Sequence, residues 1–189
     1  MRCGWAASSA LANRHYHRVR RRLRYGPPMT RSREEFIAAL PRKVAAAGAL
    51  VTDGQGRVLI VKPTYKAGWE IPGGCVEVVE SAPAACAREV REELGLTLKV
   101  GRLLVVEHEV TLEGDAIKFV YDCGNVASTD RMTLAADEIQ EVAFVEPDEL
   151  DAHLPLQQAR RLAAAVHAVE QVALIELVNG EVVGPPSPA

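Results

Sequence analysis

The chain has 189 residues, of which 48 % are apolar and 25 % charged, an ordinary globular composition with enough length to bury a core without disulfide staples. Its longest apolar stretch, 44–51, is far too short to span a bilayer, which excludes a membrane protein. The net charge of −3 is uneven: residues 1–28 hold seven arginines and no acid, which leaves 15 basic against 25 acidic side chains beyond them. An acidic body is not built to wrap nucleic acid by neutralising phosphates, so nucleic acid is not an expected partner. Cys3, Cys75, Cys86 and Cys123 show no CxxC spacing, which fits a reducing compartment, the cytoplasm, better than a disulfide or zinc framework.

Taken in chain order, residues 1–28 read as a basic, disordered extension. A transit peptide or basic arm is the alternative, and Met29 an alternative start. A single domain, 29–184, follows. Ser32 and Glu35 have capping-box spacing for a helix over 34–40, which Pro41 ends. Val44–Thr52 and 58–62 are β-rich runs joined by Asp53-Gly54-Gln55-Gly56, a hairpin pattern. A loop over 64–68, a short strand over 69–71, Pro72-Gly73-Gly74 and an extended piece over 76–79 come next. Ala82–Leu94 reads as a helix stopped by Gly95, a residue that tolerates the positive φ of a helix end. Strands over 98–109 and 116–125, joined by a turn at 112–115, precede a strand over 141–146, a helical turn at 147–150 and an amphipathic helix over 156–169. Segments 172–178 and 181–183 flank Asn179-Gly180, a type I′ hairpin signal, and a Pro-rich tail occupies 185–189. The apolar edge of that hairpin points to a possible homodimer.

The helix over Ala82–Leu94 carries Glu89, Glu92 and Glu93 at i, i+3 and i+4, within an arc of about 100°. Like charges so spaced cost about 0.2–0.5 kcal/mol per pair, and the C-terminal half of a helix favours cations. A solvated acidic face, offset by Arg88 and Arg91, is one reading. A site for a hard divalent cation, Mg²⁺ with Mn²⁺ as substitute, is the other, because such ions take oxygen ligands.

The surrounding pattern decides between them. Gly74, five residues, Glu80, seven residues, Arg88-Glu89-Val90, one residue, Glu92-Glu93, one residue, Gly95-Leu96 resembles the Nudix hydrolase signature at every fixed position. The preceding 68–74 stretch also looks like that family's approach to its catalytic loop, and the order of elements is similar over 43–170. The resemblance implies an α+β fold, an α/β/α sandwich around a mixed β-sheet. It implies divalent-metal-dependent hydrolysis of the pyrophosphate link in a nucleoside diphosphate linked to some moiety X, a small-molecule nucleotide. By position, Glu92 and Glu93 become metal ligands, Glu89 a ligand or the general base, and the Gly73 carbonyl a further ligand. Glu80 and Arg88 pair to support the loop, with Gly74 and Gly95 shaping it. A distal acid is expected from Asp137, Glu138 or Glu141, with Glu138 preferred as catalytic. Val79 departs from the pattern, since glycine is common there.

Trp69 and Tyr65 are candidates to stack on a base, although aromatics beside strands are more often core. His108 and His153 lack metal-ligand spacing, and Cys75 beside the loop reads as an ordinary packed thiol. No proline lies about fifteen residues after Leu96, and no tyrosine at the nearby position tied to dinucleoside polyphosphates. Nucleoside triphosphates, ADP-ribose and sugar nucleotides therefore stay open as substrates. A non-catalytic Nudix-like nucleotide-binding regulatory module and an RNA 5′-end pyrophosphohydrolase are the alternatives.

Overall fold

A computed structural model describes residues 32–110 and 114–184. The basic extension 1–28, part of the 112–115 turn, and the tail 185–189 lie outside the described residues. The chain divides into a segment up to Pro41 and a compact unit from Arg42 onward. In the first, α1 (Arg33–Ala38) starts at Ser32, whose hydroxyl accepts the Glu35 N–H while the Glu35 carboxylate accepts the Ser32 N–H. This is the capping box anticipated from the spacing.

The compact unit is built on β1 (Val44–Thr52), β2 (Val58–Pro63), β3 (Gly73–Cys75), β4 (Leu103–Val110), β5 (Asp115–Asn125), β6 (Ile139–Val145), β7 (Ile175–Val178) and β8 (Glu181–Val182). Their order is β6-β2-β1-β5-β4-β7-β8, with β3 added to β1. β1–β5 and β4–β7 run parallel and the other pairs antiparallel, so the sheet is mixed. The helices are α2 (Ala82–Leu94), α3 (Leu150–His153) and α4 (Leu156–Gln171).

Alternation along the strands sends side chains to two faces. Ala47, Ala49, Val51, Leu59 and Val61 pack against Ala85, Cys86, Val90 and Leu94 of α2. Leu50, Val58, Ile60 and Val120 pack against Leu150 of α3, Leu154 just after it, and Leu162 and Ala165 of α4. Helices thus cover both faces of one mixed sheet, the expected α/β/α sandwich.

Several expected boundaries move, each for a visible reason. The extended piece at 76–79 is not a strand. β3 lies earlier, at Gly73–Cys75, where glycines let its backbone close on Ala46, Ala47 and Gly48. The piece at 69–71 contributes one bridge, Val61 to Glu70. Residues 98–102 are not ladder either: Leu98 and Val100 fill the α2-side core, while the backbones of Gly101 and Arg102 bond that of Asp122. α4 runs on to Gln171, and Val172 at φ +51 closes it, so β7 begins only at Ile175. Arg102 donates to the carbonyls of Ala168, Val169 and Ala173 there, adding to the Ala173 and Val172 N–H groups that cap the first two.

Candidate active site

β3, the loop after it and α2 converge on the carboxylates. Gly73, at φ +144, leaves no room for a side chain: a Cβ there would lie 2.6 Å from the Gly48 Cα. At Gly74 a Cβ would lie 2.6 Å from the Glu89 carboxyl carbon. The two glycines therefore shape a cradle in which backbone meets carboxylate.

Glu93 is only 5 % exposed, and its Oε2 accepts the Gly73 N–H at 2.9 Å. Burial pushes its carboxyl up to about 8, against the lowering effect of that N–H. The charges of Glu89, Glu70 and Glu138 push the same way as burial. Glu89 is raised too, first by burial, with Arg88 opposing and Glu92 and Glu138 adding. Glu138 therefore acts electrostatically on both Glu89 and Glu93. Glu141 instead faces Lys62, 3.8 Å away, and Asp137 offers its carbonyl to the Thr64 hydroxyl.

Arg88 ties the loop to the helix. Its Nε and Nη2 bond the two Glu80 oxygens at 2.9 and 3.0 Å, Nη2 donates to the Cys75 carbonyl, and Nη1 donates to Glu89 and Glu92. Glu80 also accepts the Glu77 N–H. The Arg88 bonds hold the Glu80 carboxyl below the usual carboxylate range. Gly95, at φ +67, ends α2 as expected, and a Cβ there would crowd Thr133 at 2.9 Å.

The donor set is all oxygen, three carboxylates and the Gly73 carbonyl, and it fits a hard divalent cation. Among the described residues no three His, Cys, Asp or Glu side chains converge enough to hold an ion. The physical reason is Arg88, which draws Glu89 and Glu92, while Gly73 engages Glu93.

A cavity of about 260 Å³ opens beside Gly73 and Gly74, and Tyr65 lies on its wall. Trp69 is not among the lining residues: it packs into the α4-side core, edge-on to His153 at 6.5 Å. Glu70, which bonds Tyr65 and Lys66, also lines the cavity, as does Arg161 from α4. Neither was singled out from the sequence. Arg161 carried a readable signal, a charge at the spacing of the buried Ala165 and Ala168 on one helix face.

A family described as NUDIX domain matches residues 42–166. The chain belongs to the Nudix family. Membership makes it a pyrophosphohydrolase, of a family whose members use a divalent cation and act on small nucleotide substrates. A MutT-like protein of Streptomyces ambofaciens is 31 % identical over 65 % of this chain and 76 % of its own length. The diphosphoinositol polyphosphate phosphohydrolase 2 of Rattus norvegicus is 39 % identical over 43 % of this chain and 45 % of its own length, so the match spans less than half of that relative. The crystal structure of a MutT protein from Methanosarcina mazei Go1 superposes with TM-score 0.57 at 23 % identity, covering 70 % of this chain and 96 % of that one. A UDP-X diphosphatase superposes with TM-score 0.61 at 22 % identity, covering 78 % and 76 %. These two likenesses establish the Nudix fold. No described helix is long and apolar enough to cross a membrane.

Proposed function

We propose that this Nudix enzyme hydrolyses the pyrophosphate link of a nucleoside diphosphate linked to X, a nucleoside triphosphate, ADP-ribose or sugar nucleotide, with Mg²⁺ and with Mn²⁺ as substitute. The observation that carries this reading is the buried Glu93 carboxylate, held on the Gly73 N–H and pressed by the charges of Glu89, Glu70 and Glu138. Carboxyl groups gathered against the backbone of two glycines make an all-oxygen set that suits a hard cation and the phosphates it brings.

Glu89, Glu92, Glu93 and the Gly73 carbonyl would hold the cation, which as a Lewis acid neutralises charge building on the phosphate oxygens. Glu89 serves as one of those ligands or as the general base: its carboxylate lies against the Gly74 backbone and is largely shielded from solvent, where it could take a proton from the attacking water. Glu138 raises the proton affinity of Glu89 and Glu93 and supports the same transfer. Arg88 and Glu80 orient the loop and keep Glu89 and Glu92 in place before substrate arrives. The three thiols at Cys75, Cys86 and Cys123 are free, and we assign the enzyme to the cytoplasm on that basis.

The test is release of phosphate or pyrophosphate from nucleoside triphosphates, ADP-ribose, sugar nucleotides and a diphosphoinositol polyphosphate, with and without Mg²⁺ or Mn²⁺. Cation-dependent turnover of one of the nucleotide classes, lost in Glu93→Gln, is the expected result. Turnover of the inositol compound alone, or none at all by the folded, cation-loaded protein, would defeat the reading.

A further inference from the structure

Cys86 and Cys123 lie outside the cavity and take no part in the chemistry of the carboxylates. Cys86 is on α2, three residues before Glu89, and Cys123 is on β5. They are 37 residues apart in the chain, yet their sulfurs meet at 3.7 Å, one thiol hydrogen-bonded to the other. Cys86 is wholly buried and Cys123 is 5 % exposed. Both belong to the α2-side core, with Val51, Ala85, Val90 and Tyr121. A buried cysteine ordinarily packs as a small apolar side chain. Two that face each other from separate elements are also poised for a disulfide, whose sulfurs stand about 2.0 Å apart.

The pair is chemically asymmetric. The hydrogen bond with Cys86 holds the Cys123 thiol below its ordinary value, against the opposing effects of burial and Asp122. That same bond, together with burial, pushes Cys86 up. Cys123 is therefore the nucleophile and Cys86 the resolving thiol. So enclosed a pair keeps out bulky disulfides and leaves a water-sized hydroperoxide as its oxidant. The Cys123 thiolate attacks one peroxide oxygen and the O–O bond breaks, giving a sulfenic acid and a hydroxide that takes up the Cys123 proton as water. The Cys86 sulfur then attacks the sulfenic sulfur. The S–S bond forms, the S–O bond breaks, and hydroxide leaves with the Cys86 proton as a second water. Two thiols lose two electrons, and hydrogen peroxide is reduced to two waters.

We propose that Cys86 and Cys123 are an oxidative modification site, closed to a disulfide by hydrogen peroxide, and that the closed bond slows the enzyme by displacing α2. The physical link is short. The sulfurs must approach by about 1.5 Å or more, and close packing by Ala85, Val90 and Tyr121 leaves side-chain rotation little room to absorb it. The elements themselves shift. Glu89, Glu92 and Glu93 follow Cys86 on the same helix, and misplacing a reacting group by about 1 Å costs about 10²-fold in rate. Reduction restores the dithiol. The bond is independent of which nucleotide is cleaved, and only its effect on rate rests on the hydrolase reading.

The full chain carrying Cys3→Ser and Cys75→Ser, in which the pair supplies the only thiols, is treated with hydrogen peroxide and then with dithiothreitol. Peroxide is expected to consume both thiols, lower the mass by about 2 Da and yield a peptide joining Cys86 to Cys123. Amide exchange over 82–94 changes with it, and Mg²⁺-dependent turnover falls by about 10–100-fold; dithiothreitol reverses all of these. Adding Cys123→Ala leaves Cys86 without a partner, and that protein is expected to keep its rate under peroxide. An equal loss of rate there would overturn the proposal. So would a gain of oxygen without the cross-link, or thiols that persist under peroxide sufficient to oxidise the urea-unfolded chain. A disulfide that alters neither exchange nor rate would overturn the switch. Absence of turnover before any oxidant would remove the hydrolase reading instead, and the cross-link and the exchange over 82–94 would still decide the proposal.

Discussion

Glu93 and Arg88 show why single residues on α2 matter beyond their charge. Glu93→Gln keeps the shape and an acceptor for the Gly73 N–H while removing the negative charge, so kcat is expected to fall by about 10²–10⁴-fold with little change in melting temperature. Steady-state kinetics and a thermal melt on the same preparation check this. Arg88→Ala removes bonds to Glu80, Cys75, Glu89 and Glu92 at once. As a residue that orients ligands, it should lower cation affinity or activity by about 10–100-fold, read from a Mg²⁺ titration of the rate. Full activity at ordinary Mg²⁺ would show that the carboxylates need no such support. The fixed spacing singled out these residues, whereas the choice among Asp137, Glu138 and Glu141 needed the fold. Only when β6 is laid beside β2 does the charge of Glu138 come near enough to act on Glu89 and Glu93, while Glu141 pairs with Lys62.

At the scale of elements, the catalytic loop carries a local conflict. Val79 sits at φ +64 and is fully exposed, a conformation that costs a β-branched residue about 1–2 kcal/mol. Val79→Gly should therefore stabilise the protein by about 1 kcal/mol, after glycine's greater freedom in the unfolded chain is offset. Denaturant unfolding measures it, and a loss of stability would mean that Val79 makes a contact worth more than the strain. The β1–β2 turn is held by Asp53, which accepts the Gln55 and Arg57 N–H groups and the Arg57 guanidinium. Burial would raise its carboxyl, yet these bonds win and hold it below 3.8. A group depressed in the folded state adds stability above its unfolded pKa and loses it as pH falls through the folded value. An acid titration of stability should thus show a component lost below about pH 4 that Asp53→Asn removes; an unchanged acid limb in that variant would refute it. Periodicity revealed that these elements exist, but not where pairing begins. Residues 98–102 have strand-like composition and still serve as core filler, since only the opposite strand decides which backbone groups find partners.

For the whole molecule, the C-terminal hairpin does more than extend the sheet. It lies beyond the residues that match the family, pairs β7 along β4, buries Leu177 and delivers the Gly180 N–H to Glu107. Truncation before Val172 should lower the melting temperature by roughly 2–4 °C for each kcal/mol lost in a unit of this size and loosen the cavity wall through Glu107. Light scattering on the same truncated protein checks the homodimer proposal; an unchanged mass would count against this hairpin as its interface. What the sequence by itself determined was the chemistry and the class of fold. The carboxylate spacing on α2, the glycines around it and the two periodicities are local, and local sterics and helical geometry fix them. What only the tertiary structure decided was the α4 wall of the cavity beside Gly73 and Gly74: Glu107 from β4, Gly180 from the hairpin and Arg161 from α4 are far apart in the chain. They meet because β4 is flanked by β7 and covered by α4, and a buried charge is tolerable only where the fold brings its partner to it.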